Sequence, residues 1–327
     1  RVGHFINDSW VGDSGGTVRN IIFDYLSPRT QIYLAPANPD GADGWYVNAP
    51  LVTLSATDDA SGIERIEYNL GLEWQSYSVP FLLSQEGEIT IQYRAVDRVG
   101  RVEEAQELNL KIDQTPPATE LSTDGPHYED EGGQVFVSPQ TGFGLESGDA
   151  NADPAISVSG VLGTYYQYNG SGEEVIYEEP FSLEGKDGEY EIEYSSTDVA
   201  GNAEPTNFQT VYLDSAPPVS FDDSDGEWHN EDVTVTVTAD DGEGSGVQKI
   251  VYDDGEENEI FGDQAQATFT DEGVHELSYY AVDNVENTEA QKETAPIKID
   301  KTPPTITGAS TEDHKAKIGS ANFGHEV

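Results

Sequence analysis

Residues 89–117 read ITIQYRAVDRVGRVEEAQELNLKIDQTPP. Ile91, Tyr93, Ala95 and Asp97 alternate with Gln92, Arg94 and Val96, a period of two that marks a strand with one face in a core. Val99-Gly100-Arg101 is a turn, after which Leu108, Leu110 and Ile112 resume the alternation. The run then meets Asp113-Gln114-Thr115-Pro116-Pro117, where each proline fixes φ and removes a ladder donor, so the strand must stop. A hairpin feeding a linker is the predicted local structure.

The same sentence is written three times. Ile192, Tyr194, Ser196 and Asp198 lead through Ala200-Gly201-Asn202 to Leu213-Asp214-Ser215-Ala216-Pro217-Pro218. Leu277, Tyr279, Ala281 and Asp283 lead through Val285-Glu286-Asn287 to Ile299-Asp300-Lys301-Thr302-Pro303-Pro304. The junctions begin at Ile112, Leu213 and Ile299, which gives periods of 101 and 86 residues. A fixed period of this kind sets the architecture before individual elements are argued. A weaker copy, Ile22-Phe23-Asp24-Tyr25-Leu26-Ser27-Pro28, makes residues 1–27 the expected last strand or strands of a preceding domain. Modules are then expected at 28–114, 115–215 and 216–302, with 303–327 beginning a following domain or forming a tail.

Upstream in each copy comes an aromatic turn (Trp45, Tyr128, Trp228) and, in the first and third, a strand such as Val52, Leu54, Ala56 or Val233, Val235, Val237, Ala239. The first and third copies continue into Asp58-Asp59-Ala60-Ser61-Gly62 and Asp240-Asp241-Gly242-Glu243-Gly244-Ser245-Gly246. The second has only Ser159-Gly160-Val161 there, and its extra length is expected as an insertion near 129–153. Short strands punctuated by Gly, Pro, Asn and Asp, without helical periodicity, give an all-β fold of tandem immunoglobulin-like β-sandwich modules joined by short Pro-Pro linkers.

The set A-x-D-x-x-S-G, Y-x-x-P-F (Tyr77, Pro80, Phe81; Tyr177, Pro180, Phe181), A-x-D-x-A-G-N-x-E and I-D-x-T-P-P resembles the Ig-like repeat of bacterial and archaeal surface and secreted proteins. That group includes repeats of spirochaete outer-surface adhesins and accessory modules of secreted carbohydrate-active enzymes. The resemblance spans residues 28–304. The third copy departs from it, with Ile260-Phe261 and Phe269 in place of the Pro-Phe pair.

Composition excludes several function classes. With 63 acidic residues against 15 basic and a net charge of −48, the chain lacks the basic footprint that nucleic acid requires. No apolar run is long enough to span a bilayer, so direct membrane insertion is not expected. There is no cysteine for a disulfide or thiolate site. The charge is uneven: −8 over 28–114 but −19 over each of 115–215 and 216–302. Acid crowding with little lysine suits strong brine, where the Debye length falls to about 3 Å at 1 M salt, and equally suits divalent-cation binding.

For chemistry, Gly12-Asp13-Ser14-Gly15-Gly16 looks like a serine-protease nucleophile loop. Only His4 precedes it and no double barrel follows, so it reads as a flexible turn and no catalytic residue is expected. The recurring aspartates matter more: Asp58 and Asp97, Asp198, Asp240 and Asp283, and the linker acids Asp113, Asp214 and Asp300. Asp97, Asp198 and Asp283 share the parity of core residues, so each points inward, where an unsatisfied carboxylate is costly. Two answers stand open: capping of the following turn by an Asx bond, or calcium taking six to eight oxygens at the junctions between modules, much as in cadherins. No histidine pair has metal-ligand spacing, and His229 falls in the slot of Tyr46. Trp45, Trp74 and Trp228 are read as core in preference to a sugar-stacking surface. Asn7-Asp8-Ser9 and Asn169-Gly170-Ser171 match the glycosylation sequon.

The expected function is a non-catalytic structural or adhesive stalk on a cell or virion surface. Its partners would be neighbouring modules, surface glycans, host proteins or other copies of itself. Accessory modules of a secreted carbohydrate-active enzyme, or a repeating subunit of a surface layer or filament, are the alternatives.

Overall fold

The computed structural model describes residues 3–6, 9–12, 23–149, 156–169 and 172–305. The glycine-rich loop at 13–16, part of each sequon and residues 306–327 lie outside them. The described residues are all β, with no helix, and so none long and apolar enough to cross a membrane. Gly3–Ile6 and Ser9–Gly12 form an antiparallel hairpin. The chain divides near the Ala216–Pro217 bond into two compact units. The first holds two sandwiches, here modules 1 and 2, and the second holds module 3.

In module 1, Arg29–Ala35, Leu51–Thr57 and Phe81–Leu82 form one sheet. The other runs Trp45–Tyr46, Gln106–Ile112, Gly87–Asp97, Ile63–Asn69, Gln75–Tyr77. Trp45–Tyr46 pairs parallel to the last strand, with Ile112 opposite Tyr46. The alternation read in the sequence fills the space between the sheets: Val52, Leu54, Ile89, Ile91, Leu110 and Ile112 pack together with Tyr46 and Leu83. Each fully buried aliphatic side chain of this kind contributes roughly 1.5–3 kcal/mol.

Module 2 repeats the plan with Ala118–Asp124 against Gly142–Gly148 and a six-stranded sheet whose centre is Gly188–Asp198 and Asn207–Leu213. The Pro-Phe motif shows its purpose here. Phe181 stacks on Tyr166 at 3.9 Å and lies 5.5 Å from Phe143, and its backbone bridges Phe143, closing the core where a full strand is missing. In module 3 that place is taken by the longer strand Gln264–Phe269, whose Ala265, Ala267 and Phe269 face inward, while Phe261 lies on the exposed neighbouring strand Glu257–Phe261.

The extra length expected near 129–153 is distributed differently. His127–Glu129, Val135–Val137 and Gly142–Gly148 all belong to the sandwich. The larger excess falls in the next turn, where Asp149 and Gly160 are 11 residues apart although the matching Asp58 and Gly62 are 4 apart.

One polar device closes every module. Six residues after the strand-end aspartate stands a glutamate: Glu103, Glu204 or Glu289. Its own N–H pairs with the carbonyl of Ala95, Ser196 or Ala281, and its carboxylate crosses to the other sheet. Glu103 accepts the Thr30 N–H at 2.9 Å, the Thr30 hydroxyl at 2.5 Å, the Ala95 N–H at 3.0 Å and the Gln106 amide at 2.7 Å. Glu204 accepts the N–H and hydroxyl of Thr119. Glu289 accepts the N–H and hydroxyl of Ser220 and the Ala281 N–H, and pairs with Lys292 at 2.7 Å. Buried carboxylates are tolerable when their oxygens are satisfied in this way.

Candidate functional site

Each sandwich ends its inward-alternating strand on a fully buried aspartate: Asp97, Asp198 or Asp283. All three cap the next turn. Asp97 Oδ1 accepts the N–H groups of Val99 and Arg101 at 2.9 and 2.8 Å, and Asp198 Oδ1 those of Gly201 and Asn202 at 2.7 and 2.8 Å. Asp283 Oδ1 accepts the Asn287 N–H at 2.8 Å. Asn202 and Asn287 also supply their side-chain amides to the second oxygen, at 2.8 and 2.7 Å. Module 1 has Arg101 at that position, and Asp97 Oδ2 is left buried without a partner.

The linker aspartate Asp113 is held from both sides. Its N–H donates to the Tyr46 carbonyl of module 1 at 2.9 Å. Its carbonyl accepts the Asn202 amide of module 2 at 3.0 Å, and its Oδ2 accepts the Ser159 N–H at 2.8 Å. Nearby, the Ala42 N–H of module 1 donates to the Ala200 carbonyl at 2.7 Å. That approach needs a glycine beside it, because a Cβ on Gly41 would sit 2.6 Å from the Ala200 oxygen.

The S-G dipeptide therefore has two separate tasks. Its serine N–H receives the linker aspartate, Ser159 for Asp113 and, at 3.0 Å, Ser61 for Asp24. Its glycine N–H holds the acid that ends the second strand: Gly62 for Asp58 at 2.6 Å, Gly160 for Asp149 at 2.6 Å and Gly246 for Asp241 at 2.7 Å. Gly62, Gly160 and Gly246 have φ of 82°, 86° and 88°, a region costly for other residues.

These bonds draw acids together. Asp113, Asp149 and Asp198 each place a carboxylate oxygen within 4.8 Å of the others. Asp113 and Asp198 are completely buried and Asp149 is half-buried. Burial, followed by the charges of Asp113 and then Asp198, raises the Asp149 carboxyl above its ordinary range, with the Gly160 N–H opposing. A second trio, Asp24, Asp58 and Asp59, has no fully buried member, and Asp97 stands outside it. Hydrogen bonding to Ser61 holds Asp24 below the usual carboxylate range, against a smaller burial cost.

Of the acids singled out from sequence, Asp113 and Asp198 come together and Asp58 joins a different cluster. Asp214 caps Ala216 through Oδ1, and Asp300 is exposed and caps Thr302. Asp240 is exposed and its Oδ1 accepts the Gly242 N–H. The register of its strand puts Asp241, not Asp240, in the place of Asp58 and Asp149: Arg29, Ala118 and Val219 pair with Thr57, Gly148 and Asp240, the residues just before. Spacing does not single out Asp149, because the lengthened turn separates it from Ser159-Gly160. Its signal was its place directly after the strand Gly142–Gly148 that carries the alternating Phe143 and Leu145.

The tryptophans divide. Trp45 is buried beside Lys111, Trp74 lies under the Arg94 guanidinium at 3.9 Å and Trp228 is 60% exposed. His229 stands opposite Ile299 as Tyr46 stands opposite Ile112.

No protein-family model matches the chain, and no curated protein matches it. Among solved structures it is similar to fibronectin(III)-like modules of Clostridium thermocellum CbhA, at 13% identity over 58% of this chain and 100% of that one, with a TM-score of 0.33. It is similar to the FN1-FN3 domains of chicken CNTN1, at 10% identity over 83% of this chain and 99% of that one (TM-score 0.32). A third likeness is to the I67-I69 I-band fragment of titin, at 10% identity over 84% and 98% (TM-score 0.32). The assignment as tandem Ig-like sandwiches rests on the strand orders above.

Proposed function

We propose that this chain is part of an extracellular structural stalk, a non-catalytic array of sandwich modules that carries an adhesive end away from a cell or virion surface. The observation that carries the reading is the bonding of Asp113. A tether between independent beads would leave its linker solvated, whereas Asp113 gives its N–H to module 1 and its carbonyl and Oδ2 to module 2. Every module also carries the parts of such a joint at both ends, an aspartate after its last strand and an S-G pair near its start. Repetition of a joint, with the variation left to turns, is what a spacer of adjustable length requires.

The absence of cysteine makes the test clean. Spin labels on cysteines introduced at Leu72 in module 1 and Phe208 in module 2, both exposed, report the distance between the two sandwiches in the otherwise intact chain. A single narrow distance distribution is expected. A broad distribution, as from a free tether, would sink the reading.

A further inference from the structure

We propose that Asp113, Asp149 and Asp198 form a calcium site that closes the joint between modules 1 and 2. The inference stands on the orphaned oxygens at the joint and does not depend on what the array is for. Asp113 is fully buried, and its Oδ1 is shielded from water with no hydrogen-bond partner; Asp149 Oδ1 is in the same condition. Neither side chain is free to turn away, because each is fixed by a backbone N–H on its other oxygen, Ser159 at 2.8 Å and Gly160 at 2.6 Å. Asp198, the third member, is oriented by its own turn and by Asn202, and its oxygens keep lone pairs for a further partner.

The electrostatics point the same way. Three carboxylates share one site, and among the described residues no lysine or arginine pairs with any of them. A water molecule could donate to two oxygens but would leave three negative charges facing each other. A hard dication supplies what is missing: it satisfies orphaned oxygens and cancels charge. Calcium–oxygen bonds of about 2.3–2.6 Å allow ligand oxygens to stand up to roughly 4.6–5.2 Å apart, whereas magnesium at about 2.0–2.1 Å limits them to roughly 4.2 Å. Three carboxylate oxygens that all lie within 4.8 Å of one another fall inside the reach of calcium, and the fully buried Asp113 and Asp198 leave little room for the water shell that magnesium retains.

The test is calorimetric titration of calcium into the whole chain after treatment with a chelator, beside Asp113→Asn and Asp149→Asn. Asparagine keeps the shape and an acceptor for the Ser159 or Gly160 N–H while removing the charge. The wild type is expected to lose one equivalent of bound calcium in either variant, or to bind it more than about tenfold more weakly there. Unchanged stoichiometry and affinity in both variants would overturn the proposal, as would no heat from the wild type at millimolar calcium. Magnesium at equal concentration should leave the titration intact, and displacement by it would overturn the choice of ion.

Thermal melting in chelator adds a readout that does not require binding. If the carboxylates repel one another, Asp149→Asn must melt at or above the wild-type temperature without calcium and must lose the upward shift that calcium gives the wild type. A variant that folds less stably than the chelated wild type would contradict the repulsion on which the site rests.

Discussion

Glu103 and Asp113 are both buried acids of module 1, ten residues apart, and they are provisioned in opposite ways. Glu103 receives four donors, shared over both of its oxygens. Asp113 receives one side-chain bond, at Oδ2, leaves Oδ1 buried without a partner, and stands beside two more carboxylates. Burial alone therefore says nothing about what a carboxylate is for. The number of donors aimed at it separates an internal fastening from a group still lacking a partner.

The largest effect should come from cutting the first kind. Glu103→Ala strands the Thr30 and Ala95 donors in a buried place and should destabilise module 1 by about 3 kcal/mol in urea unfolding. Asp113→Asn, measured in chelator, should cost nothing or raise the stability, because it removes a charge with no counterion. Equal losses in the two variants would erase the distinction.

A smaller effect should appear in the pH dependence of the module 3 counterpart. Burial opposes ionisation of Glu289, yet hydrogen bonds from Lys292, Ser220 and the Ala281 N–H outweigh it and hold the carboxyl below its ordinary value of 4.5. A group with a depressed folded-state pKa contributes stability that is complete above the unfolded value and disappears as pH falls through the folded one. The stability advantage of the wild type over Glu289→Gln should accordingly be full at pH 6–7 and shrink progressively below about pH 4.5. An advantage that grew on acidification would mean that the glutamate is held in its neutral form.

The smallest effect is expected at Asp24. Each of its oxygens already accepts an N–H, from Leu26 and from Ser61, and it lies in a more open trio than that of Asp113. In chelator the melting temperature of Asp24→Asn should equal that of the wild type or fall slightly below it, because the fold favours the charged form of this acid. A clear rise would place this acid with Asp113 and Asp149 as a group under repulsion.

The strands were legible in the sequence because a period of two is a local property: Ile91 to Asp97 declares its face without reference to anything distant. The turns were legible for a similar reason, since Asp97 and Asp198 cap N–H groups two to four residues ahead. The joint was not. Its bonds connect Asp113 with residues 46 and 89 positions away, Ser159 and Asn202, and no spacing rule reaches that far. The letters were visible without their duties: the serine and glycine of the S-G pair were one motif on paper and serve two different aspartates in space. Asp240 and Asp241 could not be told apart until strand register decided between them. The clasping glutamates were present as the last letter of A-x-D-x-A-G-N-x-E, but their partners Thr30, Thr119 and Ser220 lie 69 to 85 residues away.

Receipt of Asp113 by Ser159 has a consequence for the unit of inheritance in such an array. The chemical boundary of a module does not fall at the prolines, because the socket in one copy is completed by the last acid of the copy before it. A duplication or deletion that keeps the phase between the final aspartate and the next S-G pair passes on a finished joint whatever loops lie between. The length of the array can thus change over generations without any new interface having to be found.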